Sequence, residues 1–215
     1  MLRHCLSCNR SSQAPATAIA LGPGLGQEPE VERMVLRAVE EIEVPMVIDA
    51  DGLNLLVGHL DLLAQVKAPR VLTPHPGEMA RLLGQDTKTV QSDRIGAAER
   101  LAKESGAVVV LKGAHSVVAD PEGQTFIVPT GNPGMATGGS GDVLTGLIGS
   151  MLAEGMESLE AACVATYVHG LAGDLASLAS SQRAMKAGDI LKRLPEVFSR
   201  FEANSDGEEV DAENS

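Results

Sequence analysis

The chain has 215 residues, which suits one α/β domain with a sizeable buried core. Apolar residues make up 44% of the chain but aromatic residues only 2%, so the core has to be built from Leu, Val, Ile, Ala and Met. The formal net charge of −12 argues against a nucleic-acid-binding protein, because such surfaces are usually basic.

The N-terminal segment 1–16 contains no clear helix or strand pattern. Cys5 and Cys8 have the spacing of half a zinc site, but no second pair follows, so we interpret the spacing as incidental. With Cys163 they form an odd, sparse set that is typical of a reducing compartment. The segment lacks the apolar region of a signal peptide, and no apolar run approaches the roughly eighteen residues that span a bilayer. We therefore expect a cytoplasmic protein that contacts no membrane.

Short apolar strands and longer helical patterns alternate from residue 17 onward. The segment 17–26 is predicted to be a strand that runs into a glycine turn, and further strands are predicted at 46–51, which ends in two carboxylates, at 70–74 and at 107–113. The segment 115–130 is predicted to form a hairpin around Asp120–Gly123. The predicted helices lie near 31–42, 53–66 with an interruption at Gly58, 77–84, 90–104, 142–154, 157–179 and 188–201.

This alternation predicts a mostly parallel sheet with helices on both faces. The strands are continuous apolar runs, as expected for strands that are buried on both sides. In such folds the ligand lies outside the carboxyl ends of the strands. Unusual residues follow the predicted strand ends directly, and this indicates one site: Gly24, Asp49, Asp51, His75, Lys112 and the glycine-rich segment 131–141.

The sequence "GGSGD" at 138–142 leads straight into an apolar helix. A helix N-terminus leaves backbone N–H groups unpaired, and glycines before it let an anion approach closely, so the segment has the form of a phosphate site. It is not a P-loop, because the Gly-Lys-Ser/Thr ending is missing. Asp142 either caps the helix or serves as a base that deprotonates a hydroxyl attacking a phosphoryl group.

The strings "GPGLG", "VIDADGLNLL", "VLTPHPGEMARLLG", "VVLKGAHSVV" and "NPGMATGGSGDVLTG" resemble, in this order, the NAD(P)H-hydrate dehydratase family. These are ADP- or ATP-dependent repair enzymes of the ribokinase-like superfamily, and the resemblance runs from about residue 18 to about residue 180. It implies a ribokinase-like three-layer sandwich, with magnesium and ATP or ADP as cofactors. It also implies phosphoryl transfer to the ring hydroxyl of hydrated NADH or NADPH, followed by loss of phosphate.

On this resemblance Asp142 is the catalytic base. The residues implied to bind nucleotide and phosphate are Lys112, Gly113, Ala114, His115, Ser116, Asn132, Met135, Ala136, Thr137, Gly138, Gly139, Ser140 and Gly141. The residues implied to bind the hydrated dinucleotide are Gly24, Asp51, Asn54, His75, Pro76, Gly77, Glu78, Met79, Ala80 and Arg81.

Glu78 is also our candidate for ordering magnesium through water, although a glutamate in the first turn of a helix is favoured there without any metal. Asp49 and Asp51 are further magnesium candidates, because the ion usually takes one or two carboxylates besides phosphate oxygens and water. The residues alone do not choose among these three.

The family domain normally has roughly a third more of its length before "GPGLG", whereas about sixteen residues precede it here. We therefore expect an N-terminally truncated sheet with an exposed edge, and association into a homo-oligomer. The predicted organisation is a non-matching segment 1–16, a partial dehydratase domain 17–201 and a disordered tail 202–215. The tail has six acidic residues and no basic one.

Two other functions stay open at this point. One is a small-molecule kinase of the same superfamily, of the hydroxyethylthiazole or hydroxymethylpyrimidine type, which shares the glycine-rich segment and the aspartate. The other is a truncated, non-catalytic nucleotide-binding remnant, with a fragment that does not fold alone as its extreme form.

Overall fold

A computed structural model describes the backbone of residues 17–212 and the side chains up to residue 202. Six strands form one sheet in chain order: β1 (Ile19–Leu21), β2 (Met46–Ile48), β3 (Arg70–Leu72), β4 (Val108–Leu111), β5 (Ser116–Ala119) and β6 (Thr125–Val128). The first four are parallel, and β4, β5 and β6 pair antiparallel. The predicted hairpin is confirmed, with its turn held by the Asp120 carboxylate, which accepts from the Gln124 amide at 2.7 Å.

The crossovers between the parallel strands are helical. They are α1 (Pro29–Glu41), α2 (Ala50–Leu55), α3 (Leu60–Gln65), α4 (Pro76–Leu82), α5 (Thr87–Ser92) and α6 (Arg94–Ser105). After the hairpin come a short 3-10 turn, Pro133–Met135, and the helices α7 (Ser140–Ala153), α8 (Ser158–Ala179) and α9 (Ala187–Ala212).

The sheet separates two cores, because successive side chains of a strand point to opposite faces. Met46 and Ile48 pack with α1–α6 on one face, and Val47 between them packs with α7–α9 on the other. All three residues are fully buried, which explains why the strand is continuously apolar. The predicted three-layer arrangement, with a mostly parallel sheet and helices on both faces, is therefore confirmed.

Two helix boundaries differ from the sequence prediction. The helix predicted at 90–104 is two helices, because Asp93 ends α5 and caps α6 by accepting from the Gly96 amide at 2.9 Å. Helix α9 continues to Ala212, past the predicted end at 201 and into the acidic segment, where Ala and Glu are compatible with helix.

Segment 1–16, with the zinc interpretation of Cys5 and Cys8, lies outside the described residues.

Over residues 17–212, no helix combines the length and the apolar character that a bilayer crossing needs.

Arg70 joins the sheet to the end of α1 at the edge away from the carboxyl strand ends. Arg70 is 4% exposed, and its guanidinium donates to the carbonyls of Val39 and Ile42 at 3.0 and 2.6 Å. It also donates to the carbonyls of Val44, Ala68 and Pro69. Burial lowers the pKa of Arg70 to about 10, and the side chain relies on carbonyl dipoles rather than on a carboxylate for compensation.

Replacing Arg70 by Met should lower the free energy of unfolding by about 2 kcal/mol or more, because five buried or partly buried hydrogen bonds to carbonyls are then lost. Urea unfolding followed by circular dichroism measures the change. Arg33→Met is the matched control, since the Arg33 side chain is 74% exposed and should change stability by less than about 0.5 kcal/mol. Equal losses in the two variants would contradict a structural role for the Arg70 contacts.

Candidate active site

The carboxyl ends of β2 and β4 meet the N-terminus of α7 around a partly buried ion pair. Asp49 follows β2 directly, is 1% exposed, and its Oδ1 lies 2.6 Å from Nζ of Lys112, which follows β4. Its Oδ2 accepts from the Thr145 hydroxyl of α7 at 2.9 Å. Glu78 Oε2 lies 3.9 Å from the same ammonium. Lys112 is thus held by carboxylates in this structure and ties three elements together.

Gly141, in the first turn of α7, lies directly over this ion pair. A Cβ on Gly141 would come within 3.2 Å of Lys112 Nζ and 3.4 Å of Asp49 Oδ2. The glycine therefore lets the start of the helix approach the ion pair closely. Because Asp49 and Glu78 offset the charge of the ammonium, the preference for an anion here comes from the backbone N–H groups of the helix N-terminus.

Asp142 is the third residue of α7 and is exposed. Gly139 is the N-cap of α7, and no side chain caps the helix, so the alternative role of Asp142 as a helix cap is not what the structure has. Within the described part of the chain, the Asp142 carboxylate has no hydrogen bond or ion pair. A carboxylate that is free and solvent-facing at the mouth of an anion site can accept a proton.

An apolar groove of about 420 Å³ borders Asp142 on the side of α9. Val143 and Leu147 of α7 and Leu191 and Leu194 of α9 line it. Such a lining does not suit phosphate, which needs polar or charged partners.

The glycine-rich segment lies against α8. Asn132 donates from Nδ2 to Asp174 Oδ1 at 2.9 Å and accepts from the Gly134 amide at 3.0 Å, so its side chain is engaged within the protein. The sulfur of Met135 lies where a Cβ of Gly173 would stand. Ala136, Gly138 and Gly139 are exposed, and Thr137 is half-buried.

The loop after β4 supplies the second predicted nucleotide segment. Gly113, Ala114 and His115 are exposed, and Ser116 donates to the Gly113 carbonyl at 3.3 Å. Arg94 of α6 donates to the Leu111 carbonyl at 3.1 Å, and its guanidinium lies where a Cβ of Gly113 would stand. Burial lowers the pKa of Arg94, which the sequence did not place at this loop.

The predicted substrate residues form a neighbouring group over the ends of β1, β2 and β3. Asp51 accepts from the Gly26 amide at 3.0 Å and so fixes the turn that carries the exposed Gly24. Arg81 donates from Nε to Asn54 Oδ1 at 2.9 Å. The structure therefore brings Gly24, Asp51, Asn54 and Arg81 to one edge.

His75 and Glu78 form a capping box at the start of α4. His75 Nδ1 accepts from the Gly77 amide at 2.9 Å, and Glu78 Oε2 accepts from the His75 amide at 2.7 Å. The prolines on both sides of His75 prepare this geometry. Pro76 and Gly77 are half-buried in the first turn. Met79 and Ala80 are 0% and 4% exposed in the core, so the structure does not bring their side chains to the site.

The carboxylates do not form a ready magnesium cage. Both oxygens of Asp49 are engaged by Lys112 and Thr145, and both oxygens of Asp51 by Gly26 and Gln27. Across residues 17–212 no three His, Cys, Asp or Glu side chains lie together as metal ligands would. The donor set fits a magnesium ion that arrives on nucleotide phosphates better than a resident ion.

His169 of α8 is a site residue that the sequence analysis missed. It is 8% exposed, and its Nε2 lies 3.4 Å from the Ser140 hydroxyl at the start of α7. The pKa of His169 is lowered to about 4, chiefly by burial and also by the nearby Lys112 charge, although a hydrogen bond to the Ser140 backbone raises it. The imidazole is therefore neutral near pH 7.

Thr145 and Asp174 were missed as well. Thr145 is one helical turn after Gly141, and Asp174 lies in a helix that consists mostly of apolar and small residues. The sequence shows each of them as a polar residue on a buried helix face, but it does not indicate which group the side chain contacts.

A family model described as NAD(P)H-hydrate dehydratase matches residues 3–196 of the chain. The bifunctional NAD(P)H-hydrate repair enzyme Nnr of Moorella thermoacetica is 48% identical over 189 residues, which are 88% of this chain and 36% of that protein. The enzyme of the same name from Escherichia coli is 43% identical over 182 residues, 85% of this chain and 34% of that one. This chain thus spans about a third of the length of these relatives.

The crystal structure of the ADP/ATP-dependent NAD(P)H-hydrate dehydratase of Bacillus subtilis, co-crystallised with ATP and Mg²⁺, superposes with a TM-score of 0.76. The two sequences are 35% identical, and the match covers 86% of this chain and 65% of the Bacillus chain.

Two glycines of α7 should respond oppositely to alanine. Gly146→Ala should raise the free energy of unfolding by about 1 kcal/mol, because a Cβ there meets open space and alanine favours helix. Gly141→Ala should lower it, because the new Cβ presses on the Lys112 ammonium. Chemical unfolding of both variants tests this. A similar gain in both would contradict the close approach at Gly141.

His169 should make stability depend on pH. Its pKa is about 4 in the folded chain against 6.5 in the unfolded one, so the unfolded chain binds more protons between these values. The free energy of unfolding is therefore unaffected by His169 titration above pH 6.5, and titration of this residue should lower it by up to about 3 kcal/mol as the pH falls to 4. Unfolding of the wild type and His169→Gln at pH 7 and pH 4 isolates this difference. Parallel losses in the two proteins would refute it.

Proposed function

We propose, because this chain belongs to the NAD(P)H-hydrate dehydratase family, that it performs a nucleotide-dependent dehydration of hydrated NADH or NADPH. The observation that carries the proposal is the combination at the start of α7. An unpaired, exposed carboxylate, Asp142, directly follows the glycine-rich backbone at the N-terminus of α7. Backbone N–H groups for a phosphoryl group and a base for its acceptor are thereby adjacent.

In the proposed first step Asp142 accepts the proton of the hydroxyl on the hydrated nicotinamide ring. The hydroxyl oxygen forms a bond to the terminal phosphorus of ATP or ADP, and the bond from that phosphorus to the bridging oxygen breaks. The backbone amides at Gly138–Gly141 and the helix N-terminus offset the charge of the transferring group. Lys112 contributes through its ion pair with Asp49, which holds the start of α7 against the ends of β2 and β4.

In the second step the ring carbon–oxygen bond breaks, and inorganic phosphate leaves with the bonding electrons. A proton is lost from the neighbouring ring carbon, and the double bond of the reduced nicotinamide is restored. Phosphorylation makes this possible by converting a poor leaving group, hydroxide, into phosphate. The net change is the loss of water from the dinucleotide and the hydrolysis of one phosphoanhydride.

The predicted binding residues divide between the two ligands in this proposal. The segment after β4 and the segment 132–141 face the nucleotide, and the group around Gly24, Asp51, Asn54 and Arg81 faces the hydrated dinucleotide. Magnesium, when bound, neutralises phosphate charge, and Glu78 remains our candidate for a contact through water. We also propose a cytoplasmic homo-oligomer.

The proposal is tested by incubating the protein with hydrated NADPH, magnesium and either ATP or ADP. We expect the absorbance of the reduced nicotinamide to return, and Asp142→Asn to slow this by about a hundredfold or more. Asp61→Asn, an exposed aspartate of α3, is the control and should keep full activity.

The nature of the product separates the alternatives. A phosphorylated ring product that accumulates would indicate a kinase. A thermal shift with ADP, without turnover of either kind in the wild type, would indicate a nucleotide-binding remnant and would overturn the proposed dehydration by this chain.

A further inference from the structure

We propose that Asp174 of α8 is a positioning residue that holds the glycine-rich segment in the shape that binds nucleotide. The proposal deepens the proposed function and rests on it for the identity of the ligand. No residue of α8 was among the predicted site residues. The hydrogen bonds of Asp174 join this helix to the glycine-rich segment 131–141.

The Asp174 carboxylate accepts two hydrogen bonds from the beginning of the segment. Oδ2 accepts from the Gly131 amide at 3.0 Å, and Oδ1 accepts from Asn132 Nδ2 at 2.9 Å. Hydrogen bonds to an ionised acceptor are stronger than those between neutral groups. Both donors lie 42 or 43 residues away in sequence, so the contact fixes a loop against a distant helix.

The carboxylate also decides which way the Asn132 amide points. Asn132 Oδ1 accepts from the Gly134 amide at 3.0 Å and starts the 3-10 turn Pro133–Met135. A reversed amide would direct an oxygen at the carboxylate and an NH₂ group at the Gly134 N–H. Asp174 therefore sets the turn through Asn132, as well as the backbone at Gly131.

Other residues on this face of α8 also contact the glycine-rich segment or the residues next to it. The Thr130 hydroxyl donates to the Tyr167 carbonyl at 3.0 Å, and Met135 packs on Gly173. His169 reaches Ser140, where the segment becomes α7. Residues 169, 170, 173 and 174 share one helix face by their spacing. The segment thus begins and ends on α8, with Asp174 as the ionised anchor at its start.

Asp174 is separate from the packing that holds α8 in the domain. The helix is buried through a row of small and apolar residues, among them Ala165, Val168 and Ala172, whereas Asp174 is only half-buried. A change at Asp174 should therefore alter the loop more than the stability of the fold.

The test is an exchange of the two side chains. In Asp174→Asn the new amide has one oxygen and one NH₂ group where the carboxylate had two acceptors. Its NH₂ group therefore faces either the NH₂ group of Asn132 or the Gly131 N–H, and one hydrogen bond is lost. Asn132→Asp sets two carboxylates against each other. The double variant restores every contact, because the amide introduced at position 174 can accept from the Gly131 N–H and donate to the carboxylate introduced at position 132. That carboxylate can still accept from the Gly134 N–H.

We expect each single variant to raise the Kd for ADP by about tenfold, and the double variant to return to within about threefold of the wild type. In the dehydratase assay the single variants should raise the nucleotide KM and leave kcat within about threefold of the wild-type value. Asp61→Asn is the control for a loss of one negative charge and should leave the Kd for ADP unchanged.

Unchanged Kd values in the single variants, or a folded double variant that is not rescued, would overturn the proposal. A lowered unfolding midpoint with an unchanged Kd would assign Asp174 a purely structural role and overturn it too. A wild type that binds ADP and follows the expected series, yet has no turnover, would refute the proposed reaction and support the positioning role. A wild type that does not bind ADP would refute both.

Discussion

The ion pair of Lys112 and Asp49 is the interaction on which the arrangement of the site depends. Asp49 is almost fully buried and loses its hydration, so it depends on the Lys112 ammonium, whose side chain is 20% exposed, and on the Thr145 hydroxyl. Asp49 directly follows β2, Lys112 directly follows β4, and Thr145 on α7 takes the second oxygen of the carboxylate. The pair therefore fixes where α7 begins relative to the sheet, and with it the position of Asp142.

The layered fold follows from properties that a sequence expresses directly. Continuous apolar runs such as "VVVL" at β4 predict strands buried on both sides, and the helical spacing between them predicts crossovers. The parallel order then brings the strand ends to one edge, which is why the sequence could predict that residues following those strands lie close together. The boundary at Asp93 could not, because the apolar spacing of α5 and α6 continues across it.

Within the candidate site, the sequence singled out individual residues but not the groups that their side chains contact. Asp49 stood out after a strand, but the contact that explains it, Thr145, lies 96 residues further along the chain. His75 between two prolines looked like a rigid binding residue, and its Nδ1 turns out to cap α4. Asp174 and His169 carried no motif at all. Such roles are set by tertiary neighbours, and helical spacing reports only that a residue lies on a buried face.

Most glycines of the segment 131–141 are needed for the packing and backbone conformation of the protein itself, and one is not. A Cβ on Gly134 would strike the Gln182 backbone at 2.6 Å, and one on Gly141 would press on the ion pair. Gly131 and Gly139 have φ values of 105° and 84°, which side chains disfavour. At Gly138, by contrast, a Cβ would meet nothing within 4 Å, and φ lies outside the left-handed range. Packing and backbone conformation explain the other four, whereas at Gly138 the missing side chain leaves the backbone open towards solvent, where a phosphate can approach.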